Sequence, residues 1–149
     1  MVFAGCSNTE ETANEVGETA TSAADNLPGV GETSLSADLT GAAEVPGPAD
    51  PDGSGSATVS LDEEDGEVCY DIDVENIGDP VAAHIHTGAA GVSGPPVVTF
   101  PVADEGLDSC VSGVDQSVVQ DIANNPANYY VNVHTAEFPS GAIRGQLEQ

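Results

Sequence analysis

From about residue 34 onward, apolar and polar residues alternate along much of the chain, the period-2 pattern of strands that turn one face inward. In "GSATVSL", Ala57, Val59 and Leu61 alternate with Ser56, Thr58 and Ser60. The acidic "DEEDG", ending at Gly66, has the composition of a turn. "EVCYDIDVENI" then resumes the alternation, with Val68, Tyr70, Ile72 and Val74 inward and Glu67, Cys69, Asp71 and Asp73 outward, which predicts a hairpin. Further strands are predicted at 81–86, 96–102, 129–134 and 142–148. One short helix is expected where Asp115 can cap "QSVVQDIANN" and Pro126 can stop it. Short strands separated by turns at this density predict an all-β fold, an antiparallel β-sandwich.

The 149 residues suffice for one domain, and aromatic residues at 4% leave small aliphatic side chains to fill its core. Residues 1–34 read differently. "SNTEETANEVGETATSAADN" is poor in bulky apolar residues, so it cannot bury enough surface to offset the entropy of ordering. The expected organisation is a disordered acidic tether over 1–34 and a folded domain over 35–149.

Charge narrows the partners. Twenty-six acidic residues face a single basic one, Arg144, for a formal net charge of −25. Nucleic acids and anionic lipid surfaces are bound by clusters of Lys and Arg, and this chain has none. A surface this acidic repels itself at low salt, which fits a halophilic setting or the binding of divalent cations. "DPDGSG", residues 50–55, carries alternate aspartates faintly like a calcium loop. It lacks the remaining acidic positions of an EF-hand and reads better as a turn than as a Ca²⁺ site.

The cysteines are Cys6, Cys69 and Cys110. "VFAG" before Cys6 resembles the end of a bacterial lipoprotein signal, in which the cysteine is lipidated and becomes the mature N-terminus. Five residues are too few for the basic start and apolar segment of such a signal, so an upstream part is expected to be missing. Lipidation of Cys6 would attach the domain to a membrane through the anchor alone, in an extracellular or periplasmic location. It would leave Cys69 and Cys110 as a disulfide pair, with Cys110 in a covering loop; two free thiols are the alternative.

All three histidines lie in strand patterns. In "VAAHIHTGAAG", His84 and His86 share one face while Ala83 and Ile85 take the other. In "NYYVNVHTAEF", Tyr130, Asn132 and His134 stand opposite Val131 and Val133. If the two faces meet, three imidazoles form a recognised coordination set for copper or zinc, with Asn132, Thr135 and Glu137 as outer or fourth-ligand candidates. The competing reading is a set of histidines that only hydrogen-bond across the sheet. Arg144 should lie opposite Ile143, where a bidentate pair with a carboxylate would fix the last strand; guiding an anion toward the histidines is the functional alternative.

"LTGAAEVP", "AHIHTGAAGVSGPPVV" and "YYVNVHTAEFPSGAIRGQL" resemble, in that order, the motifs of the CHRD domain, the module named after chordin. The resemblance covers about residues 35–149 and implies an immunoglobulin-like β-sandwich in an extracellular setting, with no enzymatic activity attached. A looser similarity is to copper-zinc superoxide dismutase, also a β-sandwich, with His84, His86 and His134 in the place of copper ligands. No histidine remains for a bridging ligand, and a charge of −25 opposes superoxide. Three functions follow. The first is a lipid-anchored CHRD module that binds, stores or delivers Cu or Zn. The others are a metal-free surface scaffold or adhesion module that meets other cell-surface proteins, and a dismutase-like redox enzyme.

Overall fold

The computed structural model describes residues 32–149. Cys6 and the expected tether up to residue 31 lie outside them. The described residues carry eight strands: β1 (Glu32–Thr40), β2 (Ser54–Asp62), β3 (Glu67–Glu75), β4 (Pro80–Thr87), β5 (Pro96–Phe100), β6 (Asp108–Val111), β7 (Tyr129–Thr135) and β8 (Ile143–Gln146). Two helices interrupt them, a single turn α1 (Val102–Glu105) and the amphipathic α2 (Gln116–Asn124). As the sequence predicts, the side chain of Asp115 caps α2 by accepting from the Ser117 amide at 2.9 Å. β1 begins at Glu32, ahead of the expected domain start at residue 35.

The all-β antiparallel class is as expected, and the two halves of the fold are joined in one ladder of order β5-β4-β7-β8-β1-β2-β3-β6. The sheet coils until its ends approach. Tyr70 of β3 stacks on Phe100 of β5 with ring centroids 4.2 Å apart, and its hydroxyl donates to the Gly106 carbonyl in the link between β5 and β6. That link, which contains α1, therefore spans the gap between the two ends of the ladder. Of the inward positions named from the alternation, Ala57, Val59, Leu61, Val68, Tyr70 and Ile72 are buried and Val74 is half-buried against the core, which also holds Leu35, Leu39, Ala83, Ile85, Val131, Val133 and Ile143. Val119 and Ile122 from one face of α2 join the same core.

Two local features differ from the sequence reading. Cys110 belongs to a strand rather than a covering loop: β6 pairs with β3 so that Cys110 stands directly opposite Cys69, and the two form a disulfide. The segment was hard to see because an edge strand of four residues buries only alternate positions in part. α1 was not anticipated either, since one helical turn has no period to read. "DPDGSG" is a turn, with Asp50 Oδ1 accepting from the Asp52 amide at 3.2 Å.

Candidate metal centre

β4, β7 and β8 run side by side, and their register aligns the outward residues in rows. His86 pairs with Tyr130 and Tyr130 with Gln146; His84 pairs with Asn132 and Asn132 with Arg144; Ala82 pairs with His134. Alternation thus places the three histidines, Tyr130, Asn132, Arg144 and Gln146 together on the face opposite the aliphatic core. That face is not a solvent face. Tyr130 and Asn132 are each 2% exposed and Arg144 1%, because the 88–95 loop and the segment after β1 fold over them.

The imidazoles converge. One ligand nitrogen from each of His84, His86 and His134 lies within 4.8 Å of the other two, and His84 Nδ1 stands 3.0 Å from His134 Nε2. Backbone carbonyls set two of the tautomers. His86 Nδ1 donates to Gly94 O at 2.7 Å and His134 Nδ1 donates to Pro139 O at 2.9 Å, which leaves the Nε2 of each as a lone-pair acceptor. This is the arrangement in which an outer carbonyl orients a metal-binding imidazole. His86 Nε2 is buried and has no hydrogen-bond partner among the described residues. Its ring is held by stacking on Tyr130 at 4.9 Å.

The electrostatics favour the neutral form of His84 and His134. Burial, then the neighbouring His134 and His86, push His84 down to about 4, against the Asn132 hydrogen bond that raises it. Burial also lowers His134, opposed by its bond to Pro139. Neutral imidazole is the form that binds metal. With His134 Nε2 an acceptor, the bond between the two rings requires His84 to carry its proton on Nδ1. An ion bridging the nitrogens would take the place of that proton, which would move to His84 Nε2. Metal–nitrogen bonds of ~2.0–2.1 Å put tetrahedral ligand atoms roughly 3.3 Å apart, close to the 3.0 Å between His84 Nδ1 and His134 Nε2, and a nitrogen of His86 lies within 4.8 Å of one from each of the other two rings.

The other residues expected at the site divide. Asn132 is there, its Oδ1 3.1 Å from His134 Nε2. Thr135 is not: its hydroxyl accepts from the Phe138 amide in the turn after β7. Glu137 is exposed in that same turn. Arg144 lies opposite Ile143 as expected, but the bidentate carboxylate pair gives way to another arrangement. Nη2 donates to Ala89 O and Gln146 Oε1, both at 2.9 Å, and the guanidinium lies 3.4 Å over the Tyr130 ring. It ties the 88–95 loop to β8. The carboxyl of Glu44 acts on Arg144 through space, while Glu44 Oε2 and Arg144 Nη1 have no hydrogen-bond partner among the described residues.

Glu44 escaped the sequence reading altogether. It follows the 3-10 turn after β1, is 7% exposed, and has its carboxyl against Gly141, where a Cβ would stand 2.2 Å from Oε2. Burial raises its pKa to about 7, opposed by the Asn132 amide and then by Arg144. The one available signal was its place inside "LTGAAEVP", the first of the family-like motifs.

This geometry defines an antiparallel β domain whose outer sheet face carries a buried polar layer ending in three convergent imidazoles. The family model described as CHRD domain matches residues 35–147, and the chain belongs to that family. Comparison with curated proteins and with solved structures gives no match.

Proposed function

We propose that this CHRD domain is a metal-binding module that takes one Cu²⁺ or Zn²⁺ ion on His84, His86 and His134, and that it binds, stores or hands on the ion at the cell surface, anchored by a lipidated Cys6. The observation that carries the reading is the buried, partnerless Nε2 of His86 in a group of three imidazoles that offer nitrogens within 4.8 Å of one another, two of them 3.0 Å apart. A surface of net charge −25 adds a long-range pull on cations. Titration calorimetry with Cu²⁺ and Zn²⁺, with salt high enough to screen surface carboxylates, tests it. Wild type should bind one equivalent tightly and His134→Ala should lose at least tenfold; equal binding by the two proteins would place the metal elsewhere.

One observation favours a second reading, a metal-free scaffold or adhesion module. His84 and His134 already satisfy one another through their 3.0 Å bond, so two of the three rings have a structural use without an ion. Under that reading His134→Ala lowers stability and changes no metal titration.

A further inference from the structure

Away from the histidines, the described residues hold a second group of metal-ligating side chains. A carboxylate oxygen of Glu67 and the sulfurs of Cys69 and Cys110 all lie within 4.8 Å of one another. Parity and register make the group. Glu67 and Cys69 are two residues apart on the outward face of β3, and Cys110 of β6 stands directly opposite Cys69. β8, β1 and β2 separate these strands from β4 and β7 along the ladder, so the group shares no strand with the histidines. The chain's other sulfur atoms, in Met1 and Cys6, lie outside the described residues.

In the oxidised protein the two sulfurs are bonded to one another and neither is a ligand. The bond is open to attack, because Cys110 is exposed and Cys69 half-buried, and β6 is a four-residue edge strand. Exposed disulfides are the labile ones in thiol exchange. The strand pairing is also held on either side of the bond. Val68 pairs with Val111 and Tyr70 with Ser109. The Ile72 amide donates to Leu107 O at 2.8 Å before β6, and the Val114 amide donates to Gly66 O at 2.9 Å after it. Leu107, Val111 and Val114 pack against the core. Reduction therefore frees two thiols on a ladder that still holds them opposite one another.

Two thiolates and a carboxylate suit zinc, which accepts sulfur and oxygen in one tetrahedron. Zn–S bonds of ~2.3 Å place two sulfurs about 3.8 Å apart, inside the 4.8 Å that bounds all three ligand atoms. The next outward pair, Asp71 opposite Asp108, sets like charges against one another on the same face, a repulsion that a divalent cation relieves.

We infer that the Cys69–Cys110 disulfide is the closed, oxidised form of a second metal site, and that its reduced form takes one Zn²⁺ ion on the two thiolates and the Glu67 carboxylate. A dithiol reductant opens the site. One of its thiolates attacks a disulfide sulfur, its second thiol resolves the mixed disulfide, and it leaves as a disulfide, having passed two electrons and two protons to Cys69 and Cys110. Zn²⁺ then displaces both protons. With a disulfide as oxidant the exchange runs backward: the Cys69–Cys110 bond re-forms, the oxidant takes up two protons as a dithiol, and the ion is released. The site shares no residue with the three-histidine site and stands or falls without it.

The test uses the whole chain, with Co²⁺ as a probe because a thiolate on cobalt gives a charge-transfer band that imidazoles and carboxylates do not. Protein is reduced with a water-soluble phosphine, freed of it without air, and titrated. The band should saturate at one equivalent in reduced wild type, be absent in the oxidised protein and be bleached by Zn²⁺. No band after reduction overturns the inference, and a band that Zn²⁺ leaves intact overturns the assignment to zinc. Glu67→Gln should weaken Co²⁺ by at least about tenfold and shift its visible bands. Asp71→Asn removes the same charge from the same face and should change affinity far less; an equal loss in both variants would mean that Glu67 acts by charge and is no ligand. Circular dichroism follows the fold. A reduced chain that unfolds should refold on adding Zn²⁺, and failure to do so counts against the site. Dithiothreitol should reduce the native protein without denaturant, whereas a bond that yields only on unfolding refutes the redox gate.

Discussion

Replacing Glu44 by Gln removes a carboxyl that the fold holds out of water and nearly without hydrogen bonds. Glu44 is 7% exposed, its Oε2 has no partner among the described residues, and burial raises its pKa from 4.5 to about 7. The folded protein therefore binds this proton more tightly than the unfolded chain does. The stability that Glu44 contributes is fully present below pH 4.5 and is lost as pH rises through about 7. A difference of 2.5 between those two values, at 1.36 kcal/mol per unit, comes to about 3 kcal/mol. Gln has nearly the same shape and stays neutral, so the variant escapes the loss. Urea unfolding of both proteins from about pH 4 to about pH 8, in constant high salt with a chelator and the disulfide intact, measures it. The two should be equal within error at the acid end, and the variant more stable by about 3 kcal/mol at the alkaline end, with unchanged denaturant slopes. His84 works the other way, its stability contribution present above 6.5 and lost as pH falls through about 4, but it is common to both proteins and cancels in the comparison. Parallel profiles over the whole range would show that Glu44 is not the buried carboxyl described here.

Three further outcomes are expected. Reducing the Cys69–Cys110 bond opens a ring with a sequence separation of 41 and should lower stability by about 4 kcal/mol in the chain-entropy account, read as a drop in unfolding midpoint after reduction and alkylation; thiols that alkylate in the native, unreduced protein would contradict the pairing. Gly141→Ala should destabilise by at least about 2 kcal/mol, since it meets both a strained φ and the Glu44 oxygens; a neutral result in a thermal melt would mean that this turn and the carboxyl give way freely. Melting temperature should rise from low salt to about 1 M of a weakly binding salt, because screening relieves the repulsion of a chain with one basic residue; a flat curve counts against it.

The alternation of apolar residues was enough to place six of the eight strands of the described residues, all but β1 and β6, and their buried faces, because a residue's side of a strand follows from its parity alone. Ala57, Val59 and Leu61, or Val131 and Val133, point inward whatever their neighbours are. The same parity put His84 with His86 and His134 with Asn132. It said nothing of register, and register made the site: β4 against β7 aligns His84 with Asn132 and sets His134 diagonally within 3.0 Å. The pairing of β6 with β3, which seats Cys110 opposite Cys69, was hidden for a similar reason, since a four-residue edge strand carries too few periods to show itself. Arg144 was visible as the lone basic residue, yet its partners come from β8 and a distant loop, and the expected carboxylate partner was wrong in kind. Glu44 was the least legible of all. It stands nearly ninety residues from Asn132 in the chain, in a segment with no alternation, and only the closing of β1 onto β8 brings it behind the sheet face. Local patterning records which side of an element faces the core, a property of each strand by itself. What a buried polar side chain meets depends on contacts between strands far apart in sequence, and those exist only once the ladder has closed.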